Sequence, residues 1–440
     1  MSDYWGRAAL TAYRWAGAAA YPLIGGYIAW RASKGKEERS RRRERYGVAG
    51  QLRPEGPLVW IHAASVGETV AVVPLIERIL DYGIHVVLTT GTVTSAKLAA
   101  ERLDGRAIHQ YVPLDLKPAV SRFLNHWKPD LAIIAESEIW PMTILELGAR
   151  RVPQILVNGR LSDRSFASWK KRSFLADALF ENLAHVVAQS EVDAERFLAL
   201  GARPVTVSGN LKVDSEPPPV DLGSLIELQQ QIGYRKTWAA VSTHEGEEEV
   251  AGEVHGLLRE RHPDMLTIIV PRHTDRAAAV ETIFEAKGLK VARRSRRDPI
   301  TPETDILLGD TVGEMGLYLR LTEIAFVGRS LTGEGGQNPL EPAMLETAVL
   351  SGRNVQNFRD TYQHLIDSGG ARLVRDREML AGAVNFLLCN EPARREMMAA
   401  GVAAVDEMRG ALDRTLKALE PFIHPLIVKA RLESGSASER

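Results

Sequence analysis

Short apolar runs alternate with longer stretches of amphipathic helical pattern from residue 58 onward. Apolar runs of this length, separated by helices, are typical of parallel strands joined by right-handed crossovers. The pattern therefore predicts an α/β fold with doubly wound parallel sheets. The predicted strands are 58–62, 84–88, 108–112, 131–135, 154–157, 186–188 and 205–207, followed by 238–241, 266–270, 289–292, 305–308, 324–327 and 348–350.

The alternation stops once, at Glu216-Pro217-Pro218-Pro219. Three consecutive prolines cannot continue a helix or a central strand, so this segment is the best candidate for a linker. We predict two facing Rossmann-like domains and a helical tail from about Arg394. Ligands of such sheets bind beyond the carboxyl ends of the strands, which places the expected site between the domains. The predicted boundaries are 51–216 and 224–425 for the domains, 217–223 for the linker, 1–50 for an N-terminal anchor with a basic segment, and 426–440 for a polar tail.

The N-terminus differs from the rest because residues Trp15 to Trp30 contain no charge. As a helix they would be about 24 Å long, shorter than the roughly 30 Å hydrocarbon core of a bilayer. A short spanning helix and a helix lying in the interface both remain open, as does a buried core helix. The basic segment that follows favours an anionic membrane surface, or the cytoplasmic side of a span. Its cations are Lys34, Lys36, Arg39, Arg41, Arg42, Arg43 and Arg45.

Composition narrows the function classes. A net charge of −1 over 440 residues argues against a general nucleic-acid-binding protein. The single cysteine, Cys389, excludes an intramolecular disulfide and any cysteine-cluster metal site. We expect Cys389 to be a small buried side chain in a late helix.

Charged residues follow several predicted strands of the first domain. Glu68 follows the first strand at the start of a helix, where it is either a catalytic carboxylate or a partner of the helix dipole. Glu136 and Glu138 follow the fourth strand, and alternation predicts that one of them faces the site. Arg160 and Lys212 follow the fifth and seventh strands. Two or more carboxylates with a nearby cation favour proton-transfer chemistry.

The second domain contains a strand, a glycine-rich loop and a helix start within residues 324–343. Glycines let the loop backbone approach a bound group, and Asn338 and Pro339 predict a capped helix start with free N–H groups for an anion. Glu341, in the first turn, is positioned to accept hydrogen bonds from a ribose. Arg272 follows another strand, and the segment 310–316 opens a further helix. These features predict a nucleotide site.

Taken together, these motifs resemble the 3-deoxy-D-manno-octulosonic acid (Kdo) transferase family of Gram-negative bacteria. The resemblance covers essentially the whole chain, in the expected order. The motifs are Glu44-Arg45-Tyr46-Gly47, Ser65-Val66-Gly67-Glu68, Glu136-Ser137-Glu138-Ile139-Trp140-Pro141, Gly209-Asn210-Leu211-Lys212, Ser242-Thr243-His244-Glu245-Gly246-Glu247, Pro271-Arg272-His273 and Gly335-Gly336-Gln337-Asn338-Pro339-Leu340-Glu341.

The resemblance implies an inverting GT-B glycosyltransferase that moves Kdo from CMP-Kdo to the lipid A precursor at the cytoplasmic face of the inner membrane. Glu68 would be the general base, and Glu136 and Lys212 would stabilise the transition state. No metal or other cofactor is expected, because Arg272 and the loop can neutralise the departing phosphate. The implied partners are CMP-Kdo, the lipid A precursor and membrane lipid, without nucleic acid. The CMP-binding positions would be Pro271, Arg272, Val312, Gly313, Glu314, Asn338, Pro339, Leu340 and Glu341.

Three positions depart from the family pattern. Arg329 stands where a second glycine is usual, Gln337 replaces histidine, and Ser351-Gly352-Arg353 replaces a turn that ends in proline. Arg329 either adds a phosphate contact or points to solvent. The alternatives to a Kdo transferase are another GT-B transferase or sugar-nucleotide epimerase, and a catalytically silent membrane scaffold.

Overall fold

The computed structural model describes residues 10, 11, 13, 17 and 24–438, with side chains up to residue 433. The chain forms two compact units. The first comprises Met1–Ser215 and Arg409–Arg440, and the second comprises Glu216–Met408.

A parallel sheet forms the centre of the first unit. Its strands follow the order β3-β2-β1-β4-β5-β6-β7, in which the first strand of the unit lies at an internal position. The apolar side chains of β1 and β4 are fully buried because helices cover both faces of the sheet. The strands are β1 (Leu58–Ala63), β2 (His85–Thr90), β3 (Ile108–Tyr111), β4 (Leu131–Ala135), β5 (Gln154–Gly159), β6 (His185–Ala188) and β7 (Val205–Val207).

Four helices of the first unit start at side-chain caps. Ser65, Thr92, Ser162 and Ser190 each accept a hydrogen bond from the backbone N–H three residues later, as expected for N-cap residues. The helices are α1 (Ile24–Ser33), α2 (Val66–Asp81), α3 (Val93–Leu103), α4 (Lys117–Trp127), α5 (Pro141–Ala149), α6 (Asp163–Lys170), α7 (Ser173–Phe180) and α8 (Glu191–Ala199).

The second unit repeats this architecture with strand order β10-β11-β9-β8-β12-β13-β14, and its strand pairs are parallel. The strands are β8 (Thr237–Thr243), β9 (Leu266–Pro271), β10 (Val291–Arg293), β11 (Ile306–Leu308), β12 (Ile324–Val327), β13 (Ala348–Ser351) and β14 (Ala371–Leu373). The helices are α9 (Leu222–Ile232), α10 (Glu247–Arg259), α11 (Ala277–Ala286), α12 (Met315–Leu319), α13 (Leu340–Met344), α14 (Arg359–Asp367), α15 (Arg377–Cys389) and α16 (Glu391–Met408).

The α/β prediction with two parallel Rossmann-like sheets is confirmed. The thirteen predicted strands are present, but β14 was missed because it has three residues and an exposed Arg372 at its centre. The last helix, α17 (Ala411–Ser438), packs with the first unit, where Ala411, Leu419 and Ile423 join the core on β1 and β4. The sequence alone had grouped residues up to 425 with the second domain.

Half of the uncharged N-terminal segment, Trp15–Trp30, lies outside the described residues. Among the residues that are described, no helix is both long and apolar enough to cross a bilayer. The basic segment is more integrated than predicted. Arg45 is buried against Glu37 at 3.0 Å, and Arg41 pairs with Glu44 at 2.7 Å.

Two expectations about side chains therefore need correction. Arg41 and Arg45 stabilise the fold instead of facing outward, because their guanidinium groups also donate to backbone carbonyls of the neighbouring sheet edge. Arg39, Arg42 and Arg43 do remain exposed. The expectation of a buried Cys389 was wrong, because this residue ends α15 with its side chain exposed.

Candidate active site

The first candidate group is Glu68, in the opening turn of α2. The helix starts at Val66, immediately after β1, with Ser65 as its N-cap. The Glu68 carboxylate folds back onto this turn. One of its oxygens accepts the Ala64 N–H at 2.8 Å, and the other accepts the Ser65 hydroxyl at 2.8 Å. This is a variant of the capping box, and it fixes the direction of the carboxylate.

The environment of Glu68 tunes it for proton transfer. Burial and the nearby negative charge of Glu136 raise the pKa of Glu68 to about 7, although its two hydrogen bonds oppose the shift. Glu138 contributes a smaller effect of the same sign. A carboxylate with a pKa near neutrality can accept a proton and release it again under ordinary conditions. Dipole complementation alone does not require this environment.

Glu136 and Lys212 form an ion pair beside this turn. Lys212 Nζ lies 2.6 Å from Glu136 Oε1, and each side chain is 15% exposed. Glu136 directly follows β4 and has a φ of +55°, in the left-handed region that residues with a Cβ rarely adopt. A strained backbone of this kind is concentrated at functional sites in proteins. The structure thus brings Glu68, Glu136 and Lys212 together, as predicted.

Asn158 supports Lys212 from beneath. Lys212 lies in a short 3-10 turn, Leu211–Asp214, and the Asn158 side-chain oxygen accepts the Leu211 N–H at 3.0 Å. Asn158 is fully buried at a φ of +53°, where the pairing of β5 with β6 shifts register. It was missed as a functional residue, and only its place before Gly159 at a strand end could have indicated it.

The other polar residues predicted for the first unit have structural partners. Glu138 accepts a hydrogen bond from the Trp140 indole at 2.7 Å. Burial raises the pKa of Glu138, the hydrogen bond from Trp140 opposes the shift, and the charge of Glu136 adds to it. Arg160 acts on Asp193. Burial raises the pKa of Asp193, and the positive charges near it, including that of Arg160, oppose this rise. The prediction that one of the paired glutamates joins the site agrees with the Lys212 contact of Glu136.

In the second unit, Pro271 ends β9 and Arg272 follows it. The Arg272 N–H donates to the Thr243 carbonyl at 3.0 Å, which fixes its backbone to the end of β8. The side chains of Arg272 and His273 are exposed. His273 forms an edge contact with His244, with 5.7 Å between ring centroids. The carboxyl end of this sheet is therefore rich in cationic and imidazole groups.

The glycine loop after β12 is organised by Glu247, in the first turn of α10. This side chain is 1% exposed and accepts four backbone N–H groups. One oxygen accepts those of Arg329 at 2.6 Å and His244 at 3.0 Å, and the other accepts those of Ser330 and Leu331. Sequence reasoning missed this role of Glu247.

Gly328 shows why this loop needs glycine. A Cβ at that position would lie 2.6 Å from the Ser242 carbonyl oxygen and 2.7 Å from the Glu247 carboxylate. The glycine therefore permits a close approach within the protein itself.

The segment 312–314 is exposed at Val312 and Gly313, whereas the Glu314 carboxylate is hydrogen-bonded within the protein. Val312 is 67% exposed, and Gly313 has a φ of +87° with open space around it. Glu314 instead accepts hydrogen bonds from Arg294 at 2.8 Å and from Thr311. Burial acts to raise the pKa of Glu314, but these hydrogen bonds outweigh it and lower the pKa. Val312 and Gly313 are therefore open to a ligand, whereas the Glu314 carboxylate is engaged within the protein.

The helix start in the segment Asn338–Glu341 lies one residue later than predicted. The helix begins at Leu340 and has five residues, so Pro339 precedes it as the N-cap residue. Asn338 still caps the turn, because its side-chain oxygen accepts the Leu340 N–H at 3.2 Å. Within the described part of the chain, no group of three or more His, Cys, Asp or Glu side chains is placed to hold a metal ion.

Comparisons with known proteins agree with this arrangement. Residues 40–215 match the sequence model of the family described as 3-Deoxy-D-manno-octulosonic-acid transferase (kdotransferase). The 3-deoxy-D-manno-octulosonic acid transferase of Haemophilus influenzae is 33% identical over 91% of this chain and 96% of its own length. The one from Bordetella pertussis is 36% identical over 86% of this chain and 91% of its own.

Solved structures show the same fold at low sequence identity. A glycosyltransferase from Rickettsia africae aligns over 84% of this chain and 99% of its own, with a TM-score of 0.60 and 12% identity. A UDP-N-acetylglucosamine 2-epimerase homologue from Listeria monocytogenes, described as putative, covers 83% of this chain and 96% of its own, with a TM-score of 0.57 and 15% identity. The predicted GT-B fold class is confirmed. The chain belongs to the 3-deoxy-D-manno-octulosonic acid transferase family and is a glycosyltransferase.

Proposed function

We propose that the protein transfers Kdo from CMP-Kdo to the lipid A precursor lipid IVA, with inversion at the anomeric carbon. The observation that carries the proposal is the Glu68 carboxylate, held by two hydrogen bonds, with a pKa raised to about 7 by burial and by Glu136. Family membership supports the sugar, and the strand-end residues of the second unit support a nucleotide donor.

Glu68 is the general base of the proposed reaction. Its carboxylate accepts the proton of an acceptor hydroxyl as that oxygen attacks the anomeric carbon of Kdo. The bond between this carbon and the phosphate oxygen breaks in the same displacement, and its electron pair leaves with CMP. A single displacement inverts the configuration at the anomeric carbon. The raised pKa matches the requirement that a base collect a proton near neutral pH.

Glu136 and Lys212 stabilise the charge that develops during the displacement. The anomeric carbon becomes more positive as the leaving group departs, and the fixed negative charge of Glu136 favours that state. Lys212, at 2.6 Å, orients this carboxylate and limits its repulsion with Glu68. The left-handed backbone of Glu136 makes the arrangement rigid, so little reorganisation accompanies the reaction.

The second unit holds the nucleotide. Arg272, exposed at the end of β9, binds the phosphate, and the exposed segment at Val312 and Gly313 contacts the base. Asn338 to Glu341, with Pro339 and Leu340, form the turn beside the ribose. The leaving phosphate is stabilised by guanidinium and backbone dipoles, so the proposed reaction requires no metal ion or other cofactor.

We propose that the N-terminal region holds the enzyme at the cytoplasmic face of the inner membrane. Tyr27 and Trp30 of α1 are 51% and 56% exposed, and their rings stack 6.1 Å apart. Lys34 and Lys36 follow them, also exposed. Amphipathic aromatic rings next to cations are typical of segments that contact anionic lipid surfaces. We therefore propose contact with inner-membrane lipid, beside the acceptor's acyl chains.

The decisive experiment follows radiolabelled Kdo from CMP-Kdo to lipid IVA with and without EDTA. We expect transfer, release of CMP, and unchanged rates in EDTA. Absence of transfer would refute the proposed donor and acceptor. Loss of activity in EDTA, restored by added Mg²⁺, would refute the metal-free mechanism alone. The configuration of the product, determined by NMR, tests inversion separately.

A further inference from the structure

The glycine loop of the second unit carries an arginine at a backbone position that favours glycine. Arg329 has a φ of +55°, in the left-handed region where a Cβ is costly. Its side chain nevertheless extends into solvent over Gly333, where a Cβ would approach Arg329 Cγ to 3.3 Å. A residue kept in a strained conformation when glycine would relieve the strain points to a use for its side chain.

Glu247 fixes Arg329 beside His244. A single oxygen of the Glu247 carboxylate accepts the backbone N–H groups of both residues, at 2.6 Å and 3.0 Å. The two residues belong to segments 85 positions apart, so this buried carboxylate sets their spacing. The result is a fixed spacing between the backbones of these two residues, at the carboxyl ends of the adjacent strands β8 and β12.

His244 is prepared to meet an anion. Its Nδ1 lies 3.2 Å from the Ser242 carbonyl oxygen, and its ring packs edge-on against His273. Burial lowers the pKa of His244, the bond to Ser242 opposes this, and the charges of Arg329 and His273 lower it further while Glu247 raises it. An anion bound beside the ring would favour the protonated form, in which Nε2 also donates a hydrogen bond.

We propose that Arg329, His244 and His273 form an anion subsite for the carboxylate of the donor sugar acid, separate from the phosphate contact of Arg272. The inference rests on the proposed function. Kdo is a sugar acid, so its activated donor carries both a phosphodiester and a carboxylate next to the reacting carbon. Two negative groups close together are best matched by two sets of cations on one surface. Arg272, fixed to the end of β8 through Thr243, supplies the other set.

The test compares two ligands that share the phosphate but differ in the carboxylate. Arg329→Gly suits the local backbone, so the fold should be retained. We expect the KM for CMP-Kdo to rise about 10- to 100-fold, as for the loss of a charge-assisted hydrogen bond, while the Kd for CMP changes less than about twofold. Arg329→Lys should recover part of the loss. The matched control is Arg297→Gly, which removes another exposed arginine with φ of +57° and should leave both constants unchanged.

The outcomes separate the subsite from the function on which it rests. An equal rise in both constants would overturn the proposal by assigning Arg329 to the phosphate, and unchanged constants would leave it without a ligand role. If the wild-type protein binds CMP but does not transfer Kdo, the proposed function fails and the carboxylate subsite fails with it. A selective rise in the KM for CMP-Kdo, absent from the Arg297 control, supports the subsite.

Discussion

The two units place a glutamate in the first turn of the helix that follows their first strand, and they use it in opposite ways. Glu68 follows β1 and Glu247 follows β8, and both strands lie at internal positions of seven-stranded parallel sheets. Glu68 has two hydrogen-bond donors and a neighbouring carboxylate, which leaves it ready to accept a proton. Glu247 has four N–H donors and acts as an internal anion that shapes a loop. The number of donors distinguishes the proposed base, Glu68, from the structural carboxylate, Glu247.

The neighbouring strands show a second matched pair. Glu136 follows β4 and Arg329 follows β12, each next to the first strand of its unit, and both have a φ of +55°. The same left-handed turn thus presents a negative charge in one unit and a positive charge in the other. A negatively charged site suits a reaction in which positive charge develops, whereas a positively charged site suits an anionic donor. Fold symmetry supplies the positions, and the side chains divide the chemistry.

The largest expected effect comes from removing the proposed base, Glu68. Glu68→Gln keeps the shape of the side chain but cannot accept a proton near neutral pH, so turnover should fall by roughly 10²–10⁴-fold. The Kd for CMP should stay near the wild-type value, since the change lies in the other unit. Steady-state transfer assays and calorimetry measure the two quantities, with Glu77→Gln in the same helix as control. Retention of most of the activity would return Glu68 to the role of helix-dipole partner.

The same substitution should change stability in opposite directions at the two matched glutamates. The raised pKa of Glu68 means that the folded state holds its proton more tightly than the unfolded state does. Its contribution is fully present below about pH 4.5 and is lost as the pH rises to about 7. Relative to the wild type, the free energy of unfolding of Glu68→Gln should therefore increase by up to roughly 3 kcal/mol as the pH rises from about 4.5 to about 7.

Glu247→Gln should instead destabilise the protein by about 1–3 kcal/mol, because an amide cannot accept all four N–H groups. Denaturant titrations at pH 4.5 and pH 8 measure both effects. Destabilisation by Glu68→Gln at pH 8 would contradict the contrast between Glu68, which has a raised pKa, and Glu247, which has four N–H donors. Equal stability of Glu247→Gln and wild type would contradict it from the other side.

The sequence predicted what short-range pattern controls. Strand runs such as 131–135 and 324–327 were placed at their observed bounds, and Glu68 was placed at the start of the helix that follows the first strand. The role of Glu247 escaped prediction because three of its partners lie 82 to 84 residues away. Hydrogen bonds between distant segments leave no periodic signal in a single sequence.

Charge patterns were also ambiguous without tertiary contacts. The sequence showed which residues of the basic segment are cations but not which of them are exposed. Arg45 is buried against Glu37, whereas Arg43 is exposed. The glycines of the loop correctly indicated close approach, but at Gly328 the approaching groups belong to the protein itself. Left-handed backbone at Glu136 and Arg329 was invisible for the same reason, because tertiary contacts impose it.

The prediction about nucleotide binding tests the second unit, the positively charged side of the comparison. Arg272→Ala and Glu341→Ala should each weaken CMP binding by about 1.5–3 kcal/mol, since each removes a charge-assisted hydrogen bond. Isothermal titration with CMP measures this directly, and Glu249→Ala, exposed in the first turn of α10, serves as control. If both variants bind CMP as tightly as wild type, the nucleotide lies elsewhere and the assignment of the second unit is wrong.

The smallest expected effect is a shift in the pH profile of kcat/KM. It tests the first unit, the negatively charged side of the comparison. The negative charge of Glu136 helps to raise the pKa of Glu68, after burial. Neutralising it in Glu136→Gln should lower that pKa, so the acidic limb of the kcat/KM profile should move to lower pH even as the maximal rate falls. Lys212→Met should move the limb to higher pH, because it leaves the charge of Glu136 without its partner at 2.6 Å. Profiles measured from pH 5 to 9 decide the matter through the direction of each shift. Coincident limbs in the two variants would show that Glu136 and Lys212 do not act electrostatically on the base, whatever their effect on the rate.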